Sequence, residues 1–367
     1  MSQDRRIYSS AGIFIGPSPS TGYHYSLGTT GTNLVTQLIR VQSFNGDFSV
    51  NRQNINQFGQ LAAISREIIE QPTVPVRCSW LAVNARNESA LGFTIDGSVS
   101  AFSGIVNGTV DDRNIFNVSA PEDEDLVGNT SADNEFVTEG YGNCFMNSYA
   151  VKGAVGGLAE AEIGWEGLNY RVDLGKTSIP IPAVNPVNGV ELTNLLCTIP
   201  AAVSGIGVAA IRPGEISVAV TADANSQTGV GVNIGTADIQ SYEITANLQR
   251  ESINKLGAPF AVKRKIRFPA EVSSTITMNA KDYLSGSLAN LLCNDNTYTI
   301  TVTLRKPACG GAVGATALIY QLKGAKLDSQ PNTLNIGGNK QVTLNFSTQL
   351  GSAEDVTRGF FLSGVTN

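Results

Sequence analysis

The sequence predicts an all-β protein: two tandem antiparallel β-sandwich or barrel domains, each with a small flanking α-helix. Three observations predict it. The stretch 41–59, VQSFNGDFSVNRQNINQFG, recurs without a gap as IQSYEITANLQRESINKLG at 239–257, a constant offset of 198 residues. Fixed-spacing self-similarity of this kind marks a duplicated unit. Apolar residues alternate at period two through many short runs, the spacing of half-buried strands. Helical spacing is confined to short stretches between those runs.

The repeat has a definite content. Gln42, Ser43, Arg52, Ile55, Asn56 and Gly59 return as Gln240, Ser241, Arg250, Ile253, Asn254 and Gly257, and Phe58 returns as Leu256. The offset continues through Arg66/Arg264, Ile68/Ile266 and Val74/Val272. Farther on, Tyr149-Ala-Val-Lys-Gly-Ala154 is echoed by Tyr320-Gln-Leu-Lys-Gly-Ala325, and Ile163-Gly164 by Ile336-Gly337. The shorter second offset is read as a longer insertion in the first copy.

In chain order, residues 1–38 read as a Ser/Thr/Gly-rich docking arm. The first domain spans 39–178. Its opening strand places Phe44, Phe48 and Val50 on one face, and the twin strand alternates Tyr242, Ile244, Ala246 and Leu248. A loop rich in Asn and Gln follows each, at 52–60 and 250–258. Such a loop carries too many amides to be buried without partners. Strands are expected near 62–69 and 73–83, and near 260–268 and 272–279. Short helices are expected at 84–92 and 280–292, the latter with Leu284, Leu288 and Leu291 on one stripe. Residues 96–140 read as an insertion confined to the first domain, replaced in the second by the strand at 298–304. Residues 179–214 form a Pro/Gly-rich linker, 215–350 the second domain, and 351–367 a C-terminal tail.

Composition excludes several function classes. Apolar residues make up 42% and charged residues 15%, which suits a packed core rather than disorder. The net charge of −6 gives no basis for sequence-independent nucleic-acid binding. The charge is uneven: 20 acids against 11 bases up to position 198, and 11 against 14 beyond it. The first residues, MSQDRRIYSS, lack the apolar stretch of a secretory signal, and no run of 18 apolar residues suggests a membrane span. The five scattered cysteines form no CxxC pair and read as reduced, buried thiols.

Catalytic and metal chemistry finds little to build on. The single histidine, His24, lies in the arm, so His-based triads and zinc sites lack a second imidazole. Gly205-Ile-Gly207 is followed by Pro213-Gly214, which breaks any dinucleotide-binding helix. Glu122, Asp123 and Asp125 belong to an acidic run without calcium-loop spacing. With the basic run Lys263, Arg264 and Lys265 they read either as solvated surface or as charges that meet across subunits. No enzyme activity, cofactor or metal is expected.

The chain resembles the bacteriophage tail tube (major tail) proteins. The carrying stretches are Asn51-Arg-x-x-Ile-Asn-x-x-Gly59, Ile64-Ser-Arg-Glu-Ile-Ile-Glu-Gln-Pro-Thr-Val74 and Asn87-Glu-Ser-Ala-Leu-Gly-Phe93. Tyr149-Ala-Val-Lys-Gly-Ala-Val155 and Ala161-Glu-Ile-Gly-Trp-Glu-Gly-Leu-Asn169 add to them. The resemblance implies sheets joined between subunits into closed rings and rings stacked into a hollow tube. Single-domain members form hexamers, so two fused domains imply homotrimeric, pseudo-hexameric rings. It further implies a virion location after synthesis in the host cytoplasm, and contact with tail-tip or baseplate and terminator proteins. A tape-measure protein or DNA would occupy the lumen without specific binding, and no membrane is involved. The loops holding Arg52, Asn56, Gly59, Arg250, Asn254 and Gly257 are the expected ring-to-ring contacts. The rival reading is a tail-tip hub or decoration-type binding protein of the same all-β texture.

Overall fold

A computed structural model describes residues 10–16, 35–108, 112–121, 124–193, 195–204, 210–222, 232, 237–279, 281, 285, 287–289, 296–308, 313–334 and 339–366. The fold is all-β and antiparallel. The first unit comprises β1 (Ala11–Gly16), β2 (Thr36–Gln37), β3 (Val41–Gly46), β4 (Arg52–Ile55), β5 (Ser65–Ile68), β6 (Val74–Leu81), α1 (Arg86–Leu91) and α2 (Ser103–Val106). It continues with β7 (Arg113–Ser119), β8 (Val137–Ala154), β9 (Glu160–Gly167) and β10 (Asn169–Leu174). A small pair, β11 (Ile179–Pro180) and β12 (Leu196–Cys197), lies in the connector. The second unit comprises β13 (Ile216–Ala222), β14 (Asp238–Asn247), β15 (Arg250–Ile253), β16 (Lys263–Ile266) and β17 (Glu271–Asn279). It closes with β18 (Tyr298–Arg305), β19 (Thr316–Ser329), β20 (Asn332–Thr333), β21 (Gln341–Gln349) and β22 (Gly359–Gly364).

Strand pairing sets the two units side by side. In the first, the long strand β8 serves two sheets: its N-terminal half pairs with β7 and β10, and its C-terminal half with β9. β1 extends the first sheet beyond β7, and β6 and β3 extend the second beyond β9. The second unit repeats this, with β19 pairing β18, β22 and β21, β13 beyond β18, and β17 and β14 beyond β21. Even the bulges recur. Val41/Ser43 matches Ile239/Ser241, Arg113/Ile115 matches Tyr298/Ile300, and Met146/Ser148 matches Leu327/Ser329. A bulge fixes register because it inserts one residue into one strand only.

That register corrects three expectations. Met146 pairs with Trp165 and Leu327 with Phe346, so β8 maps onto β19 and β20 at an offset of 181 residues. The counterpart of Tyr149 is therefore Gln330, not Tyr320. The two offsets, 171 and 181, differ by an even number, which preserves the inside–outside alternation of a strand, so the sequence pattern fits both. β1 lies inside the expected arm and β22 inside the expected tail, yet β1 pairs with β7 and β2, and β22 pairs with β19. β7 and the start of β8, within 96–140, correspond to β18 and β19 and are not an insertion. The helix expected at 280–292 falls mostly outside the described residues.

Both units share one core. Phe360 of the second unit stands 5.6 Å from Phe102 and 5.9 Å from Tyr149 (centroids), and a similar distance separates it from Tyr320. α1 closes this core. Its Asn87 side chain accepts from Ile39 N–H at 2.9 Å and donates to Ile39 O at 2.8 Å. The helix ends at Gly92, whose φ of 89° suits glycine. A smaller core packs Phe14, Phe116 and Phe136 against Ile179, Ile181 and Ile199 of the connector.

Candidate self-association surfaces

The two units meet through strands as well as through the core. β14 adds to the free side of β8 in seven residue pairs, from Ser241↔Ala154 to Asn247↔Ser148. The order β3-β6-β9-β8-β14-β17-β21, with β19 and β20 lying end to end beside β21, is thus one continuous sheet eight positions wide. Its inward residues, among them Val76, Ile163, Val151, Ile244, Ile276 and Leu344, form the core. The alternate residues face out and are dominated by Ser, Thr, Asn and Gln, with Glu160, Glu162, Glu166, Glu243 and Glu271 against Arg77, Lys152 and Lys326. Hydroxyls and amides pair across strands: Ser43 with Ser79 at 2.7 Å, and Thr275 with Asn345 at 3.0 Å.

This sheet ends on two unused edges. Among the described residues, β3 pairs only with β6, whereas its counterpart β14 pairs with both β17 and β8. At the other end, β20 pairs only with β21. Grooves of about 500 and 410 Å³ flank β3. Aromatic rings line one of them: Phe48 stacks on Tyr170 at 5.9 Å and Phe44 meets Tyr141 edge-on at 5.6 Å. Gly46 is required there, since a Cβ would lie 2.4 Å from the Tyr141 ring.

The sequence-predicted loops are β-hairpins. β4 pairs with β5 and β15 with β16, in the same register. Because β3 and β14 are separated by three antiparallel strands, they run in the same direction, and both hairpins leave the same end of the sheet. Four strand spacings put them roughly 19 Å apart. Gly59 and Gly257 turn the tips with φ of 89° and 85°. Asn56 and Asn254 are exposed near the tips. The adjacent apolar side chains are bare, with Phe58 104% exposed, Leu61 110% and Leu256 102%. Phe58 and Leu256 are part of the sequence repeat, but sequence reasoning named neither, nor Leu61, as a contact, although a large apolar residue repeated inside an Asn/Gln/Gly loop is a signal.

Arg52 and Arg250 start their hairpins at the base, away from the tips. Arg250 Nε donates to Met146 O at 2.7 Å. Arg264 is buried and forms an ion pair with Glu166 at 2.7 Å, so this member of the expected inter-subunit charge set is engaged within its own chain. Lys263 and Lys265 point to solvent. Asp125 is exposed, while Glu122 and Asp123 lie outside the described residues. Neighbouring Glu124 accepts from Asn129 and Ser131, which holds its carboxyl below the usual range.

One buried acid stands out. Glu88 on α1 accepts from Tyr149 OH at 3.1 Å and Tyr320 OH at 3.5 Å. Burial pushes its carboxyl up to about 7. The described cysteines, Cys78, Cys144 and Cys197, are buried free thiols, and burial pushes Cys78 and Cys197 up to about 12. Among the described residues no group of His, Cys, Asp and Glu could hold a metal ion, and no helix is long and apolar enough to cross a membrane.

No protein-family model matches the chain, and no curated protein does. A solved structure titled "Cryo-EM structure of the anti-feeding prophage (AFP) baseplate, 6-fold symmetrised" is similar over 42% of this chain and 95% of that one, at 12% identity and a TM-score of 0.25. That score is too low for the likeness to define a fold.

Proposed function

We propose that the protein is a tail tube subunit of a phage-like virion, a structural protein whose copies join edge to edge into a ring and whose rings stack into a hollow tube. One observation carries the reading. The chain already makes the required contact internally, where β14 adds to β8, and among the described residues the equivalent edges, β3 and β20, have no second strand partner at opposite ends of the same sheet. A contact between two different edges is head-to-tail, so each added copy presents the edge that the next one needs. Closing the ring removes exposed edges that would otherwise template aggregation.

Six units per ring, the number the family resemblance implies, need three copies of this chain. The polar outer face of the sheet is then the lumen wall. Its hydroxyls, amides and excess of carboxylates repel or slide past a nucleic-acid backbone rather than hold it. The twin hairpins project along the tube axis, and their bare tips at Asn56, Phe58, Gly59, Asn254, Leu256 and Gly257 meet the next ring. The role is geometric and involves no catalysis.

Native mass spectrometry with negative-stain microscopy tests this. Three-chain rings or tubes are the expected result. Discrete rings that never stack at any concentration favour a tail-tip hub instead, and a chain that stays monomeric contradicts the proposal.

A further inference from the structure

The duplicated register identifies which side chains face each other where copies join. Inside the chain, the hairpin β15–β16 rests on the first unit. Leu248 N donates to Asn147 O at 2.8 Å, Arg250 Nε to Met146 O, and Arg264 pairs with Glu166. The guanidinium carbons of Arg250 and Arg264 lie 5.4 and 5.7 Å from the Phe145 ring centroid. Asn147 is the extra residue of the Met146/Ser148 bulge. With Glu166 and both arginines it lines a pocket of about 490 Å³ under the hairpin.

The hairpin β4–β5 carries the same two arginines 198 residues earlier. Arg52 Nη1 reaches the Arg66 carbonyl at 3.5 Å, as Arg250 Nη1 reaches the Arg264 carbonyl at 2.9 Å. Here both side chains are exposed, and among the described residues neither has an acidic partner. The edge that would receive this hairpin is the 181-residue counterpart of β8. At the place of Glu166 stands Ser347, and at the place of Phe145 stands Lys326. At the place of Asn147 stands Asp328, again the extra residue of its bulge, exposed and without an ion pair among the described residues. The carboxylate has moved from the neighbouring strand to the bulge.

Resting on the edge-to-edge ring reading, we infer that Arg52 and Arg66 of one copy pair with Asp328 of the next. The partner surface is a second copy of this chain. The inference moves Arg52 from the ring-to-ring contact to the side-to-side one, leaving the hairpin tip for stacking. A buried charge pair at an interface sets register and selects the right neighbour.

Charge exchange in the full chain tests it. Asp328→Arg, and Arg52→Asp with Arg66→Asp, should each raise the concentration at which rings appear by roughly tenfold or more. All three changes together should restore rings. All three positions are exposed strand residues, so far-UV circular dichroism and melting confirm that each variant folds. Wild-type rings with unaltered assembly of Asp328→Arg would overturn this pairing while leaving the ring reading intact. Failure of the folded triple variant to recover would overturn it too. A wild-type chain that forms no rings overturns both.

Discussion

Glu88 shows how far burial shifts a single group. Burial pushes its carboxyl up to about 7 in the folded protein against the usual 4.5, outweighing the backbone and the Tyr149, Trp80 and Tyr320 side chains, which favour the charged form. A raised pKa means that the folded state holds its proton more tightly than the unfolded chain does. The stabilisation is fully present below about 4.5 and is lost as pH rises through about 7. The loss amounts to roughly 3 kcal/mol. Urea unfolding at pH 5 and pH 8 should show it, and Glu88→Gln should flatten the difference. A second residue-scale prediction concerns Gly46, where an added Cβ meets Tyr141 at 2.4 Å. Gly46→Ala should lower stability by about 1–3 kcal/mol in chemical denaturation. Neither role is readable from sequence. Glu88 falls in a short polar helix candidate, and its partners Tyr149 and Tyr320 come from strands of different units.

At the scale of elements, the hairpins divide into a braced one and a free one. The second leans on Phe145 and Glu166, while the first is exposed along its length. Their tips nonetheless share a bare apolar residue, Phe58 or Leu256. Replacing both with Ser should leave the melting temperature unchanged, since neither side chain loses buried contacts. It should stop ring stacking while preserving rings, as electron microscopy would show. Arg264→Ala should instead destabilise the monomer by roughly 1–3 kcal/mol, because it empties a buried site and removes the partner of the part-exposed Glu166. The hairpins were legible in the sequence because their residues repeat at one offset, but as loops rather than paired strands. The register of β8 against β19 was not legible, since a ten-residue slip keeps every side chain on its own face. β1 and β22 were missed because their pairing partners lie about a hundred and about forty residues away, beyond the reach of local periodicity.

At the scale of the molecule, duplication does more than lengthen the chain. It builds one junction into the covalent structure, and in the proposed ring the same junction is completed between molecules. The all-β class and the duplication itself were legible from repeat and alternation. The continuous sheet and its two free ends were not, because they depend on β14 crossing to β8. The most direct test of the repeated junction is a cross-link at its predicted register. Glu243 pairs with Lys152 across the internal junction, and the equivalent positions are Asn45 and Thr333, both exposed. Asn45→Cys with Thr333→Cys, oxidised at assembly concentration, should give a disulfide between chains and a closed species of three chains by non-reducing mass measurement, with neither single variant doing so. Double-variant chains that assemble yet remain unlinked would contradict the account.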